Sequence, residues 1–279
     1  MKGLIAVSLA IVVVAFASEA RAIDVTACGQ AVPAGQIGVL MADLDCGLPT
    51  GEPSYGVALE NRAALDLNGH TITGPRYAVY CPAICRIIGP GTVTGAYYGI
   101  WALDSKRGRA DVFDVAVVAN VGGIAAYRGN LTNVTATDNT LAMDVRKLRG
   151  KNLTVTGCGG SSPYCIETAH GKVDGLTATG NTVSLAVLQV IKSLSLESST
   201  VSGNSAQIGI LSYRRLQLEN SDVTALKRVF AKQPFPGHMM SGSGTSYFGL
   251  CRSRGQALQL ASRIKAIRLG DVFVAQSRP

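Results

Sequence analysis

The sequence predicts an all-β solenoid of about eight coils, and three observations carry that reading. The first is a repeated phrase. An apolar/polar alternation recurs from Leu65 to Thr224, mostly ending in Thr or Ser followed by Gly or Asn. Its copies read LDLNGHTITG (65–74), IIGPGTVTG (87–95), VFDVAVVAN (112–120), LTNVTATDN (131–139), LTVTGC (153–158), VDGLTATGN (173–181), LSLESSTVSGN (194–204) and LQLENSDVTA (216–225). The second is spacing: Thr73, Thr94, Ala119, Thr137, Thr156, Thr179, Ser202 and Thr224 step by 21, 25, 18, 19, 23, 23 and 22 residues. Periods of this size belong to solenoids, whose coils bury their apolar faces against their neighbours. The third is a further apolar piece after each turn, such as YAVY (77–80), YGIWA (98–102), LAMDV (141–145) and YCIET (164–168). Two or three short β-rich pieces per coil, bounded by Gly and Asn, are a strand signal. A helical repeat needs apolar residues at three-to-four spacing over ten or more positions.

Four segments follow in order. Residues 1–22 read as a secretory signal peptide: Lys2, an apolar run Leu4–Ala17, and the small-x-small site Ala20-Arg21-Ala22. That run of 14 residues is short of the roughly 20 that span a bilayer. Residues 23–54 are expected to cap the solenoid, 55–226 to form it, and 227–279 to make an irregular or partly helical basic tail. The predicted location is secreted or periplasmic, with no integral membrane segment in the mature chain. Export makes disulfides expected. Three local pairs are the simplest arrangement of the candidates: Cys28 with Cys46, Cys81 with Cys85, Cys158 with Cys165. Cys251 is left over. Metal binding at Cys81 and Cys85 is disfavoured, since no second CxxC or His pair stands at ligand spacing, and neither metal nor cofactor is expected.

The charge of +8 sits in the tail. Residues 1–226 carry 17 basic and 17 acidic side chains, and residues 227–279 carry 9 and 1. The solenoid is thus near neutral, which argues against a nucleic-acid partner. Within it Asn120, Asn139, Asn181 and Asn204 recur at one turn position, with Cys158 in the slot between. They are expected to form a structural ladder, in left-handed backbone geometry and bonded from coil to coil.

The phrases LNGHTITG, GPGTVTG and YGIWA, over about residues 55–226, resemble right-handed parallel β-helix repeat proteins of the pectin-lyase-like superfamily. The resemblance implies that fold and three kinds of chemistry to look for. Polygalacturonase-like hydrolysis needs grouped aspartates, and the chain has neither an Asp-Asp pair nor an Asn-Thr-Asp motif. Ala169-His170-Gly171 and Arg263-Ile264-Lys265 match pieces of that family's pattern out of context. Pectate-lyase-like elimination needs clustered carboxylates for calcium, whereas Asp111, Asp114, Asp138, Asp144, Glu167 and Asp174 are scattered. Tail-spike-like glycosidases leave too loose a signature to check. His70, His170 and His238 are expected in structural or surface roles, and Tyr97, Tyr98 and Trp101 as core or edge residues ahead of a sugar-stacking platform.

One pattern is not demanded by the fold. Arg62, Arg86, Arg107, Arg128, Arg149, Lys172, Lys192 and Arg214 recur at steps of 24, 21, 21, 21, 23, 20 and 22 residues, close to the coil period. They are expected in one column, able to grip the carboxylates or sulfates of an acidic polysaccharide. The competing role is surface charge that keeps outward turns soluble. In the tail, QALQLASRIKAIRL (256–269) places Ala257, Leu260, Ala261, Ile264 and Ile267 on one helical face. The expectation is a secreted scaffold or binding protein rather than an enzyme. Two alternatives stand beside it: a lyase or glycosidase acting on a polyuronate, and a structural envelope or adhesin-like module.

Overall fold

A computed structural model describes residues 22–47, 54–213, 215–223, 237–240 and 247–267. The expected signal peptide falls almost wholly in 1–21, outside the described residues, and Arg214 is outside them too. From Ala22 to Val223 the chain is a parallel β-solenoid of about seven turns.

Each coil bends around three faces. In the coil Gly122–Thr137 the first face is 122–126, the second 128–132 and the third 134–137, each paired in register with the coil Leu141–Thr156. Inward side chains stack in columns as the alternation demands. Ile100, Ile124, Met143, Ile166, Leu188 and Ile210 line the first face. Val112, Leu131, Val173, Leu196 and Leu218 line the second, and Val93, Val117, Ala136, Val155, Ala178 and Val201 the third. All of these are buried. A fully buried aliphatic side chain contributes about 1.5–3 kcal/mol by leaving water, so these columns are the main stabilising element.

The strands are longer than the two or three short pieces expected per coil. Gly122–Thr137, Leu141–Thr156 and Tyr164–Thr179 each run unbroken through 16 residues. Pairing survives the bends on either side of the third face because left-handed residues turn those corners. Between the second and third faces these are Asn68, Asp114, Asn133, Asn152, Gly175, Ser198 and Asn220. Between the third and first faces they are Gly74, Gly95, Ala119, Asp138, Gly157, Gly180 and Gly203. Asn, Asp and Gly enter this region at least cost.

The asparagine ladder exists, with one correction. The left-handed residue stands one position before Asn120, Asn139, Asn181 and Asn204, so these asparagines do not supply the turn geometry. They tie coils together instead. Asn120 Nδ2 donates to Asn139 Oδ1 (3.1 Å) and Asn181 Nδ2 to Asn204 Oδ1 (2.8 Å). Cys158 fills the intervening slot, its N–H donating to Asn181 Oδ1 (2.9 Å). A second ladder runs outside along the other corner, from Asn152 to Asn133 to Asp114.

Parallel pairing begins inside the segment expected to be a cap: Ala22–Val25 pairs with Ile37–Leu40, which pairs with Ala63–Asp66. That segment therefore supplies rungs to the same ladder. The three expected cysteine pairs are present, with Cα–Cα distances of 5.5 Å (Cys28–Cys46), 6.1 Å (Cys81–Cys85) and 5.7 Å (Cys158–Cys165), and Cys251 is free. In the tail, Arg254–Ile267 is an α-helix with Leu260 and Ile264 buried, in line with the predicted apolar face. The tail also holds an antiparallel pair, Gly237–Met240 with Tyr247–Leu250, where no strand was expected. It lacks the solenoid's alternation, so the repeat pattern gave no sign of it.

Candidate functional site

The second face carries the basic residues, in two columns. Strand residues two apart point the same way. The ladder register puts Arg109, Arg128, Lys147, His170, Ser193 and Arg215 in one outward column. The adjacent column holds Arg86, Asp111, Asn130, Arg149, Lys172, Ser195 and Gln217. The expected single column of eight cations is therefore corrected. Arg86, Arg149 and Lys172 share one column, and Arg128 stands in its neighbour. Arg62 and Arg107 are exposed in turns before their strands. Lys192 is displaced by the register shift opposite Thr168–His170. Arg214 lies outside the described residues. Counting by coil period failed because corner insertions and the bulge change the offset from coil to coil.

The same register adds cations that the period passed over. Lys147 joins Arg128, and Lys151 follows Arg149 by two positions on the same strand. Arg128, Lys147, Arg149, Lys151 and Lys172 thus cluster over three successive rungs, about 4.8 Å apart. Among the described residues none of the five has a carboxylate oxygen within 4.0 Å. Arg149, Lys151 and Lys172 line an open depression of about 620 Å³ together with Asn130, Thr132 and Asp174. Further toward the N-terminus the charges are internally spent. Arg109 Nε bonds Asp111 Oδ1 at 2.9 Å, Asn130 Nδ2 donates to the same oxygen, and the Arg86 guanidinium lies 4.8 Å from the Phe113 ring centre.

The first face is built differently. Two outward positions of each coil form columns there: Tyr55, Tyr77, Tyr98, Gly122 and Leu141 in one, and Ala58, Tyr80, Trp101, Ala125, Asp144, Glu167 and Gln189 in the other. Rings fill the early coils. Tyr98 and Trp101 centroids are 4.5 Å apart, Tyr77 and Trp101 5.4 Å, and Tyr55 and Tyr80 are stacked at 5.9 Å. Tyr97 adds an edge contact to Tyr98 and is half exposed. Asp104 accepts from both Tyr80 Oη and Trp101 Nε1, each at 2.6 Å, and fixes the tips of those rings. That bond, then burial, pushes the Tyr80 phenol up to about 12. The following rung has no large side chain. A Cβ at Gly122 would collide with the Tyr98 ring, so glycine there gives the ring its place.

Carboxylates come next. Burial raises the pKa of Asp144, opposed by the Arg146 guanidinium. Burial also raises that of Glu167, helped by the neighbouring Asp144 charge and opposed by Arg146. Arg146 Nε is 4.0 Å from Asp144 Oδ1 and Nη1 3.8 Å from Glu167 Oε1, so neither contact is a hydrogen bond. Asp144 Oδ1 is buried and has no hydrogen-bond partner. Burial raises the Tyr98 phenol, with the Tyr97 and Asp144 charges adding to the effect. Along this face the aromatic rings and the carboxylates are separated by the single rung of Gly122 and Ala125.

Comparison with protein-family models, characterised proteins and solved structures finds no match.

The remaining candidates are structural. His70 Nδ1 sits 3.3 Å from Asp43 Oδ1, and His170 Nδ1 is 2.9 Å from Ser193 Oγ. Among the described residues no group of three or more His, Cys, Asp or Glu is placed to hold a metal ion. The first-face patch was not assembled from the sequence, which took Tyr97, Tyr98 and Trp101 as core or edge residues and Asp144 and Glu167 as isolated. Its signal was present: aligning YAVY, YGIW, LAMD and YCIE puts Tyr80, Trp101, Asp144 and Glu167 in one position.

Proposed function

We propose that this chain is a secreted carbohydrate-binding β-solenoid that holds an acidic polysaccharide along its second face. One observation carries the reading: Arg128 stands in register with Lys147, and Arg149 with Lys172, beside Lys151 opposite Asp174, and none of the five cations has a carboxylate oxygen within 4.0 Å among the described residues. Surface charge kept for solubility is usually interspersed with the opposite sign. Here three cations, Arg149, Lys151 and Lys172, outnumber the one carboxylate, Asp174, around an open depression with Asn130 and Thr132 as further hydrogen-bonding groups. The rung spacing of about 4.8 Å is close to the advance of one sugar residue, so successive cations meet successive carboxylates or sulfates. Three disulfides suit an oxidising compartment. Among the described residues no helix is long and apolar enough to cross a membrane.

The test is binding of polygalacturonate, alginate and heparin at low and raised salt, alongside a scan for unsaturated products. Charge-assisted hydrogen bonds contribute about 1.5–3 kcal/mol each. The double variant Arg149→Ala, Lys172→Ala is therefore expected to weaken binding by at least tenfold, and Arg62→Ala, Arg107→Ala to leave it nearly unchanged. Equal losses in both double variants would remove the second face from the mechanism. Product formation would favour the lyase alternative.

A further inference from the structure

We infer that the aromatic–carboxylate patch of the first face is a second binding site, specific for a neutral saccharide. Four facts select that chemistry. Tyr77, Tyr98 and Trp101 form a mutually packed cluster whose rings remain partly exposed on an outward sheet face. A sugar presents an apolar C–H face, and an aromatic ring is the side chain that suits it. The carboxylates at the edge of the rings are acceptors, matched to hydroxyl donors. The Asp144 and Glu167 side chains keep 21% and 25% exposure, so neither carboxylate is sealed from a ligand hydroxyl.

Charge sets this site apart from the second face. Asp104, Asp144 and Glu167 surround the patch against two cations, Arg76 and Arg146. Arg76 is 5.3 Å from the Tyr77 ring centre, and Arg146 already lies between Asp144 and Glu167. A polyuronate or sulfated chain would bring more negative charge to a patch that already holds an excess. A neutral chain meets no such penalty. Trp101 and Asp144 stand two rungs, about 9.6 Å, apart, and the rung between them adds no outward bulk, since Gly122 lies under the Tyr98 ring and Ala125 is buried; an oligosaccharide spans both.

Trp101 is the single tryptophan of the chain, and its fluorescence reports this patch directly. The experiment is a titration of the folded protein with cellohexaose, xylohexaose, maltohexaose and chitohexaose, following Trp101 emission at low and raised salt. The expected result is a saturable change with at least one of them, insensitive to salt. Tyr77→Ala and Asp144→Ala should each weaken it by about tenfold, a loss of about 1.4 kcal/mol, with circular dichroism checking that both variants fold. The second-face double variant Arg149→Ala, Lys172→Ala should leave it intact, so the two sites fail independently. No emission change with any of the four sugars, or a response lost on adding salt, overturns the inference.

Discussion

Replacing Asn139 by alanine tests whether the coils are held together by their buried amides. The Asn139 side chain is 1% exposed and makes four bonds. Its Nδ2 donates to the carbonyls of Val117 (2.8 Å) and Thr137 (3.0 Å), and its Oδ1 accepts from Asn120 N–H (3.0 Å) and Asn120 Nδ2 (3.1 Å). Alanine strands the Asn120 backbone N–H, at about 1–3 kcal/mol for a buried donor, and removes one bond from each carbonyl, at about 0.5–1.5 kcal/mol apiece. Asn120 Nδ2 keeps its bonds to Val93 and Val118 and adds little to the loss. The expected destabilisation is about 2–6 kcal/mol. The control is Asn130→Ala, whose partly buried side chain donates to an Asp111 oxygen that Arg109 also holds; with that second donor and nearby solvent left to satisfy the carboxylate, the loss is expected to cost about 0.5–1.5 kcal/mol. Urea unfolding followed by far-ultraviolet circular dichroism measures both. With a slope of about 2 kcal/mol per molar, the Asn139 variant should move the midpoint by at least about 1 M at unchanged slope. A shift no larger than that of Asn130→Ala would refute the argument and make the inner ladder a passenger of the aliphatic columns.

Gly123→Ala places a methyl group into the Ala142 carbonyl of the next coil, a backbone atom that has little room to yield; a loss of about 1–3 kcal/mol is expected in the same assay. Asp144→Asn should stabilise the fold at neutral pH. A raised carboxyl pKa means that the folded state binds the proton more tightly, so stability falls as pH rises from the unfolded value through the raised folded one. The variant's advantage over the parent should be absent in strong acid, grow across that window and stay level above it; an advantage that is constant with pH would exclude titration as its cause. Tyr80 should be among the late phenols in an alkaline absorbance titration, ionising near 12, and Tyr80→Phe should remove that step. Because the folded state holds this proton, stability should also fall as pH rises from about 10 towards 12, and less so in the phenylalanine variant.

Much of the fold was legible because a solenoid writes its geometry once per coil. The apolar/polar alternation of LTVTGC (153–158) marks Leu153 and Val155 as inward, and both are buried. The corners were partly readable: Asn and Gly marked them, but which residue takes the left-handed conformation depends on backbone detail that puts Asp138, not Asn139, in that region. The basic column was misread for a related reason. A period fixes which coil a residue is in, while register fixes which way it points. The turn before Arg109 and the shift opposite Thr168–His170 decouple the two, so Arg107 and Lys192 match in period and fall out of register. The first-face patch was harder to find. Its chemistry changes from ring to small residue to carboxylate along one column, so no single residue type repeats to draw attention to it.

The constant offset of the central coils has a consequence for how such a chain can change. Arg109, Arg128 and Lys147 follow one another at 19 residues, in register from rung to rung. The next step, Lys147 to His170, takes 23, and the excess leaves as the loop clasped by Cys158 and Cys165 without disturbing the ladder on either side. Copying or excising a 19-residue block would therefore lengthen or shorten both outer faces together while every surviving rung finds an equivalent neighbour. Surplus residues at the corners can be added independently. Length along the axis and loop content around it are separate axes of inheritance, so the extent of either outer face can evolve without renegotiating the core.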